Sequence, residues 1–232
     1  MKQFLGKYGL LMVVALLQLG FWLHTREKLP DMGIVPDVPG KTAVLALSFG
    51  DEEFYFRLLA QDIQNAGDTY GRFTELYKYD YKKLYAWFTL LDALDKQSDY
   101  VPFLASYYFS QTQHTPDVRY VVDYLYEHSK ADPSKNFWWL AQAAYCAEHK
   151  LGDRDLAATV AAPLEHADKA PFWARELPAF VHERRGEMED AKRIIENIEN
   201  HTKEIPPYEL RFMTYFVNER LKKLETLQKK GP

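Results

Sequence analysis

The chain has 232 residues, 47% of them hydrophobic and 15% aromatic, which excludes a disordered chain and fits one folded domain with a small addition. Its formal net charge is −4, with 29 Lys and Arg against 33 Asp and Glu, and this balance argues against a nucleic-acid footprint. The single cysteine, Cys146, excludes an intramolecular disulfide and a cysteine-based zinc site.

Residues 1–28 are predicted to form a membrane anchor. Residues 8–25 contain no Asp, Glu, Lys or Arg, and this stretch approaches the ~20 residues that a membrane-spanning helix needs. Tyr8 and Trp22 lie near its two ends, where aromatic rings favour the membrane interface. A glutamine and a glycine inside the span permit packing against other membrane helices. The residues assigned to the anchor are Tyr8, Leu16, Gln18, Gly20 and Trp22.

A cleaved signal peptide and a buried helix are the alternatives to an anchor. A signal peptide shares the basic start and the apolar core, but the residues after the core, HTREKLPDMG, contain no small-x-small cleavage pattern. Lys2 and Lys7 precede the span, whereas Arg26 and Lys28 follow it beside acidic residues. The positive-inside rule therefore favours a cytoplasmic N-terminus, with the large domain on the other side of the membrane.

Residues 29–41 are predicted to be a linker between the anchor and the folded domain. The segment reads LPDMGIVPDVPGK, and its three prolines and two glycines prevent a helix. We expect a semi-extended spacer that holds the domain off the membrane surface.

From residue 42 onward the pattern predicts only helices, without hairpin signals or strand–helix alternation. Acidic residues mark several helix starts, and Asp51 is a predicted N-cap residue. The helices are predicted at 42–49, 52–65, 80–95, 99–112, 116–130, 133–150, 154–167, 171–185, 188–203 and 207–229. This series predicts an all-α stack of antiparallel neighbours, with 42–206 as the main domain and 207–232 as a polar capping helix.

An internal repeat occurs at an offset of 34 residues. The superposed pairs are Trp138 with Phe172, Trp139 with Trp173, Gly152 with Gly186, Asp153 with Glu187, Ala157 with Ala191, Val160 with Ile194 and Leu164 with Ile198. The glycines fit a tight turn between two helices, and the alanines fit a close approach of the second helix to the first. An offset of 34 is the period of tetratricopeptide (TPR) repeats.

On these residues, 42–229 resembles a divergent TPR domain, and the match is best over 137–200. The whole chain resembles the membrane-anchored TPR proteins of bacteria. The resemblance implies an antiparallel helix-pair α-solenoid with a concave surface that binds protein segments or organises a complex. It also implies a single-pass protein of the bacterial inner membrane with a periplasmic domain, and it implies no catalytic residues.

In the register of the repeat, certain positions of each first helix are expected on the concave face. The predicted partner-binding residues are Trp139, Gln142, His149 and Lys150 in the earlier repeat, and Trp173, Glu176, Phe180, Glu183 and Arg184 in the later one. Aromatic anchors mixed with charges suit recognition of a peptide or subunit. The alternative is that the two tryptophans are ordinary core residues.

The sequence offers no motif for a reaction. None of the seven histidines forms an HExxH or HxxxH pair, and no Walker A, GxGxxG or GxSxG motif occurs. Cys146 lies in an apolar stretch and is expected to be a buried thiol. We therefore expect no enzyme activity, metal, cofactor, nucleic acid or small-molecule substrate.

The expected function is that of a scaffold or accessory subunit in a bacterial envelope or membrane complex, of the pilus, secretion or envelope-biogenesis type. Two alternatives stay open. One is a glycan-binding or glycan-processing α/α domain, because aromatic rings stack on sugars and two carboxylates ~5–9.5 Å apart can cleave glycosidic bonds. The other is a TPR adaptor that faces the cytoplasm from the same anchor.

Overall fold

The structure is a computed structural model, and it describes residues 2–26, 33–68 and 73–230. Within these ranges the chain is helical and contains no strand, which confirms the predicted all-α class. The helices are α1 (Lys2–Thr25), α2 (Lys41–Leu47), α3 (Glu52–Gln64), α4 (Tyr81–Leu94), α5 (Tyr100–Phe103), α6 (Val118–Ser129), α7 (Phe137–Tyr145), α8 (Arg154–Ala161), α9 (Phe172–Arg185), α10 (Met188–His201), α11 (Pro207–Tyr215) and α12 (Lys222–Lys230).

Helix α1 is long and apolar enough to cross a membrane. Its 18-residue window from Tyr8 to Thr25 has a mean hydropathy of 1.5 and buries none of its residues against the rest of the chain. Because none of the window is buried, α1 is not a core helix of the folded domain, which is one of the alternatives from the sequence. A signal sequence near an N-terminus has the same length and composition, so that alternative stays open.

The described part of the predicted linker is packed against the domain. Residues 29–32 lie outside the described residues, and the chain from 33 to 40 is non-helical, as the prolines require. Val35 is buried in the main core, and Trp87 Nε1 of α4 donates a hydrogen bond of 2.9 Å to the carbonyl oxygen of Pro36. Residues 33–40 therefore contact the folded domain through Val35 and the Pro36 carbonyl, and the linker function of residues 29–41 stays a prediction.

The helix boundaries follow local signals in the sequence. The carboxylates of Asp51, Asp80 and Asp153 accept hydrogen bonds from the backbone N–H groups of the third residue after each, at 2.9, 3.0 and 2.8 Å. These are N-caps that satisfy otherwise free donors of α3, α4 and α8. Gly152 and Gly186, with φ of 69° and 83°, turn the chain before α8 and after α9, a conformation that costs glycine little.

Several predicted helices are α-helical over only part of their length. Leu104–Tyr108, Cys146–Lys150 and Phe216–Leu221 are π-helical continuations of α5, α7 and α11. After α8 the chain tightens into a 3₁₀ segment, Ala162–His166. Pro163 lies in this segment and has no N–H for an α-helical hydrogen bond.

Two successive helix pairs, α7 with α8 and α9 with α10, carry the internal repeat. Equivalent residues of the two second helices are buried: Ala157 and Ala191, Val160 and Ile194, and Leu164 and Ile198. One core extends from Val35 to α9. A second core lies between α9, α10 and the C-terminal helices, where Ile195, Met213 and Phe216 are fully buried. The C-terminal segment thus covers the apolar side of the last helix pair.

Candidate functional site: an aromatic strip and an ion-pair ladder

Four half-exposed aromatic side chains form a continuous row on the surface, here called the aromatic strip. Phe103, Tyr107, Trp138 and Trp173 are 51%, 42%, 42% and 43% exposed. The rings of Phe103 and Tyr107 are 5.0 Å apart, and Trp138 Nε1 donates a hydrogen bond of 3.0 Å to Tyr107 Oη. The rings of Trp138 and Trp173 meet edge to face at 5.9 Å. The strip therefore connects three alternate helical segments: α5 with its π-helical continuation, α7 and α9.

Helix geometry explains why only one of the two consecutive tryptophans in α7 is exposed. Neighbouring residues of a helix point about 100° apart, so Trp138 and Trp139 cannot face the same side. Trp139 is only 7% exposed, and its Nε1 donates a hydrogen bond of 2.8 Å to Asp99 Oδ1. The structure thus places Trp139 in the interior and Trp138, which was not among the predicted binding residues, on the surface.

A second set of charged side chains lies near the C-terminal end of α9 and in the π-helical continuations of α7 and α11. These side chains connect the helices in a series called here the ion-pair ladder. Arg184 donates two hydrogen bonds to the Glu148 carboxylate, at 2.5 and 2.6 Å. Arg220 donates two to Glu183, at 2.6 and 2.8 Å. Such bidentate, charge-assisted pairs fix geometry as well as adding energy.

A third connection of the ladder involves a lysine. Lys150 Nζ donates to the carbonyl oxygen of Ser110 at 2.7 Å, and Ser110 Oγ lies 3.2 Å away. Of the predicted partner-binding residues, Lys150, Glu183 and Arg184 are therefore occupied by contacts inside the chain. Each of the three connections includes one residue of a π-helical segment, which was not apparent from the sequence.

Three further predicted residues have different surroundings. Gln142 Nε2 is 3.5 Å from Tyr107 Oη. His149 is exposed over half of its side chain, and its ring lies 4.9 Å from that of Tyr145. Phe180 packs on Phe216, with ring centroids 5.4 Å apart. The structure thus brings Gln142 to the strip, whereas Phe180 belongs to the margin of the second core.

Glu176 is a buried acid one helical turn after Trp173. Glu176 is only 3% exposed, and its Oε1 atom has no hydrogen-bond partner among the described residues. Burial raises the pKa of this carboxyl from 4.5 to about 7; the nearby charge of Glu209 acts in the same direction, and Arg175 acts against it. Sequence spacing gave no sign of this environment, because it is formed by α11 packing against α9.

A buried polar network that the sequence did not predict connects α4 and α6. Asp92 accepts a hydrogen bond of 2.7 Å from Tyr124 Oη, and its other oxygen lies 2.7 Å from His128 Nδ1. The three side chains border a cavity of about 310 Å³. Burial and the Asp92 charge raise the pKa of Tyr124 well above its usual value. The hydroxyl is consequently a hydrogen-bond donor, and the network ties the two helices together.

One cluster among the described residues has metal-ligand chemistry. Ligand atoms of His182, Glu187 and Asp190 lie within 4.8 Å of one another. Glu187 already contacts His182 Nδ1 at 2.6 Å and Arg185 at 3.0 Å. A cation here would compete with the arginine, so these contacts explain the cluster without a metal.

Comparison with protein-family models, with characterised proteins and with solved structures finds no match to this chain. The TPR resemblance therefore stays a prediction that rests on the sequence pattern. The functional argument depends on the site geometry itself: an exposed aromatic row across three helical segments, with ion pairs elsewhere on α7 and α9 that hold these helices to their neighbours.

Proposed function

We propose that this protein is a membrane-tethered helical scaffold or accessory subunit that binds a protein partner through the aromatic strip. In this proposal the helix pairs continue as a TPR-like solenoid, and α1 anchors the chain in a bacterial inner membrane. The partner belongs to an envelope or membrane assembly. The protein acts by binding and positioning its partner.

The single observation that carries the proposal is the exposure of contiguous aromatic rings on the strip. Tryptophan and tyrosine dominate the energetically important positions of protein interfaces, because they bring a large apolar area at a low entropic cost. Trp138 and Trp173 contact each other edge to face, so their orientation is set before a partner arrives. Such preorganisation reduces the cost of binding.

The ion-pair ladder supports the same proposal because it fixes the spacing of the helices that carry the strip. Glu148 and Glu183 are buried acids, and each is held by two hydrogen bonds from an arginine of a following helix. A binding surface that extends across several helices keeps its shape only if those helices keep their spacing. We therefore assign Glu183, Arg184 and Lys150 to the frame of the surface, and Trp138 and Trp173 to direct contact.

The test is co-purification of the full-length protein from its host in a gentle detergent, beside the double variant Trp138→Ala/Trp173→Ala. The control is Phe54→Ala, which removes an aromatic ring on α3 that is 63% exposed. Loss of two interface tryptophans at about 2 kcal/mol each weakens binding about 1000-fold. We expect the double variant to lose the stoichiometric partner, and the control to keep it, with unchanged helical content in both.

Retention of the same partner by the double variant would contradict the role of the strip. A partner that is recovered only when residues 1–28 are present would move the contact into the membrane. If the double variant loses binding to an oligosaccharide array and no protein partner exists, the glycan-binding alternative replaces the scaffold.

The orientation is tested separately with alkaline phosphatase fused after Pro232. The proposed periplasmic domain predicts an active fusion, because the phosphatase folds only outside the cytoplasm. An inactive fusion that is present in full length would support the cytoplasm-facing adaptor.

A further inference from the structure

Arg175, in the first turn of α9, is a buried cation whose hydrogen-bonding capacity is unused. The residue is 4% exposed, and its Nε has no hydrogen-bond partner. Its nearest carboxylate oxygen, on Asp168, is 3.8 Å from a terminal nitrogen of the guanidinium, which is beyond hydrogen-bond distance. The guanidinium also lies over the Phe172 ring, at 5.7 Å from the ring centroid, and its charge acts on the buried Glu176 carboxyl beside it in the chain.

This arrangement is unusual because arginine has five N–H donors and stays charged at every physiological pH. Burial of a charge without hydrogen bonds is costly, so buried charges in proteins are normally paired. Asp168 does not meet this need, since its side chain is mostly exposed and lies at a distance. The geometry leaves room for an acceptor that does not belong to the described part of the chain.

A small polar cavity adjoins the guanidinium. It has a volume of about 110 Å³, equal to the share of liquid volume of about three or four water molecules. Its lining comes from the 3₁₀ segment after α8, the loop before α9 and the end of α10. The lining residues are Glu165, His166, Asp168, Arg175, Asn197 and His201. The cavity is therefore of the size of one tetrahedral or planar oxyanion.

The lining contains two acids, Glu165 and Asp168, and these limit which anion fits. Glu165 accepts a hydrogen bond of 2.8 Å from Asn197 Nδ2 and lies 3.4 Å from Arg193, so its Oε1 is already engaged inside the chain. His201 Nδ1 lies 2.8 Å from the carbonyl oxygen of Asn197, which leaves Nε2 for a ligand. An unprotonated Nε2 and the exposed Asp168 carboxylate are acceptors. They favour an anion that itself carries a proton.

We propose that the cavity beside Arg175 binds a single small oxyanion of the hydrogen phosphate type. The guanidinium donates hydrogen bonds to the unprotonated oxygens, and the P–OH group donates to His201 Nε2 or to Asp168. Hydrogen phosphate keeps a proton at neutral pH, whereas sulfate keeps none. The site therefore prefers phosphate to sulfate, and its occupation is independent of the aromatic strip.

The test uses the full-length protein in detergent, with inorganic phosphate as the probe. Phosphate binding is followed by ³¹P NMR line broadening and by thermal unfolding at constant ionic strength. At a phosphate concentration of about 100 times Kd, linkage raises Tm by about 5–10 °C for a chain of this size. Sulfate is the matched control, because both anions stabilise proteins generally by exclusion from their surfaces.

The variant Arg175→Met removes the charge and keeps most of the side-chain volume. We expect it to fold without phosphate, because it removes an unpaired buried cation, and to lose the phosphate-specific rise in Tm. Arg175→Lys keeps the charge but loses the planar fork, and is expected to weaken binding at least tenfold. Arg119→Met, on the exposed face of α6, is the control and should bind as the wild type does.

An equal effect of phosphate and sulfate on the wild type would overturn the proposal, as would an unchanged phosphate effect in Arg175→Met. If Arg175→Met does not fold, the Arg175→Lys titration decides the question. Binding to that variant with wild-type affinity would mean that the guanidinium is not the recognition element.

Discussion

Replacement of Glu176 by glutamine is expected to stabilise the protein at pH 8 and to have little effect at pH 4.5. Glu176 is buried, and its Oε1 has no hydrogen-bond partner. Burial, with a contribution from Glu209, raises the pKa of the carboxyl from 4.5 to about 7. The folded state thus binds the Glu176 proton more tightly than the unfolded state does, and ionisation at higher pH opposes folding.

The size of the effect follows from the two pKa values. A pKa of about 7 against 4.5 corresponds to about 3 kcal/mol at 1.36 kcal/mol per pKa unit. The stability contributed by the protonated carboxyl is fully present below pH 4.5, declines as the pH rises from 4.5 to 7, and is absent above pH 7. Glutamine has nearly the same shape and does not ionise, so the gain of the variant over the wild type should grow across the same window.

The assay is urea unfolding of the full-length protein in detergent, followed by tryptophan fluorescence at several pH values from 4.5 to 8. The control is Glu199→Gln, which changes an exposed acid of α10 and should show no such window. A difference between Glu176→Gln and the wild type that is constant with pH would refute the argument. A variant that is less stable than the wild type at pH 8 would show that ionised Glu176 has a partner in solution.

Three further predictions follow from the contacts described above. Gly186→Ala and Gly152→Ala should each lower the free energy of unfolding by about 1–2 kcal/mol, because both positions have a positive φ; an unchanged Tm would contradict this. Glu183→Gln and Arg220→Met should each lower the free energy of unfolding by about 2–3 kcal/mol. The double variant should lose less than the sum of the two, because it leaves no unpaired buried charge. Strict additivity in urea unfolding would count against the ladder. Asp92→Asn should cost about 1–3 kcal/mol by weakening the hydrogen bonds to Tyr124 and His128, whereas Asp123→Asn on the exposed face of α6 should change the melting temperature little.

Much of the secondary structure could be predicted because its signals are local. The capping aspartates, the turn glycines and the prolines act on residues within one helical turn, and Asp51 and Gly186 do in the structure what the sequence indicated. The π-helical segments were not predicted, and the sequence carries no marker for them. The repeat offset of 34 residues places equivalent residues such as Ala157 and Ala191 in equivalent buried positions.

The candidate site was predicted only in part. The repeat register predicts Trp173 on the surface, and Trp173 lies in the aromatic strip. The same register predicts Trp139 on the surface, but Trp139 is buried and its neighbour Trp138 is exposed. To decide which of two adjacent residues is exposed, the rotation of the helix about its axis must be known to within one residue. The repeat register does not give this rotation, because the match between the repeats is inexact and α7 ends in a π-helical segment.

The sequence by itself determined the helical class, the apolar N-terminal segment and the positions of most helix ends, since each depends on neighbours along the chain. Only the tertiary structure decided how the charges and aromatic rings are used. Glu183 and Arg220 are 37 residues apart, and the environment of Arg175 depends on which of the described side chains pack around it. Such contacts between distant residues depend on how the helices pack, which no local pattern encodes.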